Sequence, residues 1–346
     1  MLSIVRPVRT SDLPAIERLS IACGIGVASR PGHRDWLFER IRRSIESFDH
    51  EAVADAGHEY YMFVLEEDGL VIATVALAAS AGFDEPFYSY RSETLVHASR
   101  ALNVHNRIHA LNMCHDLTGL VQLGDVIADA SLEPASYELL MRAGLLFIAC
   151  HRGRFGRRII AEMPGLHDAS GQSPFWDAIG RRFFNMDFPQ VEQAFLTHSK
   201  TFIAELMPSY PIYVPLLPDA AQAALGHIHP ACERPLAILL GEGFEEDNYI
   251  DIFDGGAVLT ADIDRLYTLE AARLYPVEVE ETVDGGEPML LANLATDEFC
   301  ATWGLARCGD GHLRIGAELA QTLAVGGGGQ VRAVGAQNAL REDAAC

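Results

Sequence analysis

Two histidines stand two residues apart in "GHIHPACERPLAILLGEGF", residues 226–244, just ahead of an apolar run. An imidazole titrates near neutral pH, so His227 and His229 are the residues here best suited to moving a proton at a reacting group. In an extended chain, residues i and i+2 point to the same side, so the pair shares one face. Pro230 restricts His229 to extended backbone and so sets the direction of its ring. Other histidines, His97, His105, His109 and His115, are dense but do not form a metal-ligand spacing, and His97 and His115 are candidates to line a pocket. The cysteines number 7, scattered and without a CxxC pair, which predicts free thiols in a reducing, cytoplasmic compartment.

Other polar groups suit recognition of charged ligands. A guanidinium is held best by a carboxylate offering two parallel acceptors, which makes Asp116, Glu162, Glu205, Asp251 and Asp254 candidates. Arg91 has the converse geometry for a carboxylate. The chain carries 26 Lys+Arg against 48 Asp+Glu, a formal net charge of −22. That field disfavours nucleic acid and anionic membrane and favours cationic ligands. The N-terminus has no secretory pattern, and no apolar run reaches the length of a membrane span.

The elements that position these groups read as α/β. "LSIVRPV" is a strand, followed by a helix over "TSDLPAIERLSIA" capped by Thr10 or Ser11. "RDWLFERIRRSIESF" is an amphipathic helix with its arginines on a solvated face. "EYYMFVLEEDGLVIATVALAAS" is a hairpin turning at Asp68-Gly69. The stretch from Phe83 to Gly119 reads as a polar, aromatic loop, and residues 120–156 as strand, loop and helix. "RRIIAEMPG" is a further strand. Its echo "FIAELMP", residues 202–208, also reads as a strand, compatible with a duplicated α/β unit. Pro235 suits a first helical turn and Gly243 its end. Short segments separated by glycine-rich turns, including Gly326–Gly329, predict a small β-rich C-terminal subdomain over 281–346, after a larger unit 1–280 with halves 1–198 and 199–280.

The element order is that of the GNAT acyl-CoA N-acyltransferases. "SAGFDEPFYSYRSETLVHAS", "IHALNMCHDLTG", "SPFWDAIGRRFFNMDF", "YPIYVPLLPDAAQ" and "GHIHP" together resemble the arginine N-succinyltransferase family, in particular the alpha subunits of its two-subunit arginine/ornithine members. The resemblance runs to about residue 280 and implies transfer of succinyl from succinyl-CoA to the α-amino group of arginine or ornithine in arginine catabolism. It also implies a related beta subunit as partner, and neither metal nor tightly bound cofactor. It assigns His229, in a Val/Ile-His-Pro motif, as the catalytic proton donor, with His227 a neighbour. It places the succinyl-CoA backbone contact at Val126, in "LGDVIA" where the family reads Leu-Cys-Thr-Leu-Phe-Leu. One motif departs: the Arg-x-x-Gly-x-Gly pyrophosphate loop is replaced by "ASLEPASYELL", where Pro134 removes a donor and Glu133 and Glu138 repel phosphate. Either Arg142, or the cluster Arg152, Arg154, Arg157 and Arg158, takes over that anion, or the chain is a weakly catalytic or non-catalytic subunit supporting a catalytic beta partner.

Overall fold

In the computed structural model, residues 3–23, 34–50, 57–129, 131–168, 170–197 and 201–336 are described. Cys346 falls outside them.

One mixed sheet of 15 strands organises the described residues. β1 (Ser3–Pro7) lies beside the hairpin β2 (Tyr60–Glu67) and β3 (Leu70–Ala78), and α1 (Leu13–Cys23) and α2 (Arg34–Asp49) cover one face. The Asp68-Gly69 turn has φ of 48° and 82°, the pair of positive angles that matches a two-residue hairpin to the strand twist. α1 follows a 3-10 turn, Thr10–Asp12, and neither Thr10 nor Ser11 caps it as expected. Asp12 does the work: its carboxylate accepts from the Arg9 amide and forks onto the Arg6 guanidinium. An ionised carboxylate satisfies more donors than a hydroxyl can.

Residues 83–119 are not a loop. They contain β4 (Ser89–Ser99) and β5 (Val104–Cys114), paired in register from Ser89↔Cys114 to Ser99↔Val104. Only the base of this hairpin carries buried residues, including Tyr90, Ala110 and Leu111; its outer half is exposed. Exposure on both faces removes the apolar alternation by which a strand is recognised.

β6 (Val121–Ala128) pairs antiparallel with β3, and α3 (Pro134–Cys150) carries the chain across to β7 (Arg158–Glu162), parallel to β6. A parallel neighbour requires such a crossover. α3 is apolar nearly all round, and Leu139 through Ile148 are buried, because sheet covers one side and later elements the other. The pairing of β6 with β7 runs from Val121↔Ile159 to Leu123↔Ala161 and then stops. Beyond it the strands diverge into a fork.

The expected strand over 202–208 is instead helical: α4 (Pro174–Ala178), α5 (Gly180–Phe184), α6 (Phe188–Thr197) and α7 (Thr201–Leu206) pack together. Ile203 and Met207, four residues apart, are buried while Glu205 and Leu206 face outward, which is helical periodicity. "IIAEMP" and "FIAELMP" therefore form different structures, and their echo lends nothing to a division at 198/199. β8 (Ile212–Tyr213) adds a short edge to β5, and α8 (Asp219–Ala224) leads to the histidine segment. α9 (Glu233–Glu242) ends at Gly243, φ 101°, before the antiparallel pair β9 (Glu245–Ile250) and β10 (Ala257–Asp262), of which β10 pairs with β7.

After α10 (Tyr267–Ala271), the strands β11 (Arg273–Glu280), β12 (Glu287–Ala292), β13 (Ala301–Gly309), β14 (His312–Gly316) and β15 (Gln330–Gly335), with α11 (Ala317–Thr322), pair among themselves. β11 bonds to β14 and β15, so this group begins at Arg273. It joins the main sheet through Val5↔Ala301. Among the described residues, no helix is long and apolar enough to cross a membrane.

Candidate active site

Where β6 and β7 part, two cavities flank them. The first, about 620 Å3, is lined by the fork residues Gly124, Val126 and Glu162, by Leu132, Tyr137 and Met141 at the start of α3, and by Pro164 and the run Pro230–Pro235. The second, about 560 Å3, lies against α2 and the loop after β3, with Arg40, Arg43, Tyr60 and Phe87 in its wall. Gln122, Gly124, Asp125 and Glu162 line both.

His229 immediately precedes the run Pro230–Pro235 in the wall of the first cavity, and its own side chain lines neither cavity. Its segment runs alongside the chain leaving β7: Ile228 bridges to Gly165, and the His229 amide donates to the Pro164 carbonyl at 2.7 Å. Backbone angles of φ −62° and ψ 137° are the extended state that Pro230 demands. The Ala231 amide donates to His229 Nδ1 at 3.2 Å, so Nδ1 is an acceptor and the neutral ring carries its proton on Nε2. His167 stacks on the imidazole, ring centres 4.5 Å apart. Burial lowers the His229 pKa from its usual 6.5, favouring that neutral form. His227 is exposed, its ring beside the Leu225 carbonyl, and it too lines neither cavity.

Pro164 and Gly165 owe their position to a buried carboxylate. Asp254 Oδ2 accepts from the Gly165 amide at 2.7 Å and Oδ1 from Gly256 at 2.8 Å. Burial, with Asp251 alongside, holds Asp254 well above the usual carboxylate range. Both Asp254 oxygens and Asp251 Oδ1 accept from backbone of this loop, and neither residue lines a cavity, which sets both aside as guanidinium ligands. Close backbone approach depends on glycine: a Cβ on Gly256 would sit 2.1 Å from the Met163 carbonyl. Gly256→Ala is expected to cost about 1–3 kcal/mol in a denaturant titration, since backbone rather than a flexible side chain must give way.

The remaining sequence candidates separate. Val126 and Glu162 line the first cavity, and Gln122 Nε2 donates to Glu162 at 2.9 Å. Arg91 and Asp116 pair with each other at 2.6 Å, with Glu93 on Arg91 and the Tyr249 hydroxyl on Asp116, and line neither cavity. Glu205 lies on the exposed side of α7 and lines neither. His97, on the outer hairpin, meets the Tyr213 ring edge to face, and neither it nor His115 lines either cavity. No group of His, Cys, Asp or Glu among the described residues could hold a metal ion.

Neither proposed substitute for the pyrophosphate loop is available. Arg142 is fully buried and bonded to Glu242 and Glu138. Arg152, Arg157 and Arg158 pair with Asp264, Asp262 and Asp247, and Arg154 is buried against the Tyr61 hydroxyl and the His50 carbonyl. They follow the C-terminus of α3, about 25 Å from its start by helix rise. The cation the sequence did not single out is Arg234, exposed on the first turn of α9, lining the first cavity and donating to the Leu132 carbonyl at 2.8 Å just before α3. Its placement depends on α9 packing beside α3, which sequence spacing does not reveal. Glu133 at the N-cap and Pro134 at N1 confirm a helix start poor in donors. Burial pushes the Cys232 thiol up to about 12, so this wall residue is no nucleophile at neutral pH.

Known proteins share the sequence and the fold of this chain. A family profile described as "Arginine N-succinyltransferase beta subunit" matches residues 3–268, and one for the C-terminal domain of that subunit matches 273–335. The chain is 43% identical to "Arginine N-succinyltransferase subunit alpha" of Pseudomonas aeruginosa over 339 residues, covering 96% of this chain and 99% of that one. It is 38% identical to subunit beta of the same organism over 333 residues, covering 96% and 97%. The solved structure of arginine/ornithine succinyltransferase subunit AI from Pseudomonas aeruginosa superposes with a TM-score of 0.87 at 41% identity, covering 96% of this chain and 98% of that one. Likeness of that extent, through both groups of strands, means that the chain belongs to the arginine N-succinyltransferase family.

Proposed function

We propose that the chain transfers the succinyl group of succinyl-CoA to the α-amino group of arginine or ornithine. The observation that carries this is the fork between β6 and β7, with Val126 on one arm and the His229 segment closing the cavity it opens. The acceptor, as its free amine, attacks the thioester carbonyl, the C–N bond forms and the C–S bond breaks. The nitrogen sheds one proton and the departing sulfur gains one. The proton the nitrogen sheds balances the one the sulfur gains, and neutral His229 serves the transfer as a hydrogen-bond donor from Nε2–H to the developing charge, not as the source of that proton. Glu162, common to both cavities, is the acid best placed for the cationic acceptor, ahead of Asp116 and Glu205, while Arg91, the candidate for a carboxylate, lines neither cavity. We take the acyl-transfer unit to precede β11 and the compartment to be the cytoplasm, in keeping with the six free thiols at described positions.

Thiol release from succinyl-CoA, measured with and without arginine for the chain alone and with a related subunit, tests the reading. Arginine-dependent release is expected; its absence in both settings refutes it. Competition among arginine, ornithine and aspartate fixes the acceptor. A second reading, in which the chain chiefly supports a catalytic beta subunit, is favoured by Glu133 and Pro134 at the start of α3, and release only in the presence of the partner selects it.

Arg234 stands in for the missing loop donors in this scheme. Arg234→Ala is expected to raise KM for succinyl-CoA about tenfold, the worth of one charge-assisted bond, with kcat little changed. An unchanged KM would exclude Arg234 from the donor site.

A further inference from the structure

The residue before Val126 is in a conformation that its side chain disfavours. Asp125 has φ 48° in the middle of a strand, not in a turn. Across β3 the register runs Thr74↔Ile127 and then Ala76↔Gly124, so Asp125 and Val126 together face Val75. Two residues opposite one, the first left-handed, is the β-bulge whose first position normally belongs to glycine. A side chain there costs about 1–3 kcal/mol unless its surroundings hold it.

They do hold it. The Asp125 carboxylate accepts from the Tyr60 hydroxyl and from the Arg40 guanidinium, and its carbonyl accepts from Thr74 Oγ1 at 3.1 Å. Arg40 lies 4.5 Å from the ring centres of both Trp36 and Tyr60, not on a solvated helix face. A cation between two aromatic faces is fixed by more than its ion pair. The bulge falls directly beyond the last β6–β7 pair, at the wall that the two cavities share.

We infer that Asp125, clamped by Arg40 and Tyr60, is a positioning residue that holds the β6 bulge and thereby aims the backbone at Val126 toward the acyl carbonyl of the donor. A bulge re-aims the peptide groups that follow it, and here those groups border the donor cavity at the fork. Through Arg40 the clamp also ties α2, in the wall of the second cavity, to that strand. The inference rests on the succinyl-transfer reading for the identity of the donor.

The test uses the properties of three residues. Glycine adopts the left-handed bulge without a clamp, asparagine tolerates it, and alanine does neither well. Asp125→Gly, Asp125→Asn and Asp125→Ala are compared for kcat, with the partner subunit where turnover needs it, and for calorimetric affinity toward the dethia analogue of succinyl-CoA, which keeps the carbonyl but cannot transfer. Expected is a loss of about tenfold in kcat and in analogue affinity for alanine, with glycine within about twofold of wild type and asparagine between. Equal values for glycine and alanine, or wild-type values for alanine, overturn the inference. A purely structural role would lower the melting temperature of all three while leaving kcat per folded molecule unchanged. Should the alanine variant fail to fold, Arg40→Lys and Tyr60→Phe release the clamp with Asp125 in place; kcat reduced threefold or more with KM for arginine unchanged supports the inference, and unchanged kcat overturns it. Wild-type protein that binds the analogue but does not succinylate arginine refutes the functional reading alone, and the affinity series still decides the bulge.

Discussion

His229→Ala lowers kcat for succinyl transfer by about 100- to 1,000-fold, the usual loss when one preorganised donor to a developing charge is removed. The ring contributes little to stability, because its segment is held by backbone bonds of Ile228 and His229 to Gly165 and Pro164, which the substitution keeps. The melting temperature therefore stays within a few degrees while activity collapses. His229→Gln, with an amide N–H near the position of Nε2, retains more activity than alanine. The pH dependence has a defined sign. The active ring is neutral, so activity is full above its pKa and falls as pH drops through it; burial places that midpoint below 6.5. A kcat profile with an acidic limb below 6.5 that vanishes in His229→Gln is the expected result, and an unchanged limb would assign it to another group.

The largest expected effect on stability belongs to Arg142. Its side chain is fully buried between Glu242, itself 1% exposed, at 2.9 Å and Glu138 at 2.9 Å, beneath the rings of Tyr267 and Trp303. Burial raises the Glu242 pKa, and Arg142 together with Thr268 opposes that rise. Arg142→Met leaves Glu242 without its counter-ion and is expected to cost about 3–5 kcal/mol in equilibrium unfolding. Adding Glu242→Gln removes the orphaned charge and recovers part of the loss. KM for succinyl-CoA should not change in the fraction that remains folded. A stable Arg142→Met variant with a raised KM would instead return this arginine to the pyrophosphate.

Much of the fold could be read from local pattern. The Asp68-Gly69 hairpin, the helix-ending Gly243 and the strand-helix-strand from Val121 to Glu162 follow from backbone preferences and apolar spacing, which act over a few residues. The β4–β5 hairpin escaped because it is exposed on both faces, and "FIAELMP" misled because a short apolar run does not by itself distinguish strand from buried helix.

The site divides in the same way. The role of the Val126 strand toward an acyl donor is implied by the family resemblance; the sequence alone determined that His229 is extended before Pro230, that Val126 lies on a strand, and that the helix after it starts with Glu133 and Pro134. These are properties of neighbouring residues. Tertiary structure decided the rest: that His229 meets the end of β7, that Arg142 is an internal counter-ion, that Arg234 comes to the first cavity, and that Arg40 reaches from α2 to Asp125, 85 positions along the chain. A charged side chain looks the same in sequence whether it faces water, an opposite charge or a ligand, and only packing determines which of these it meets.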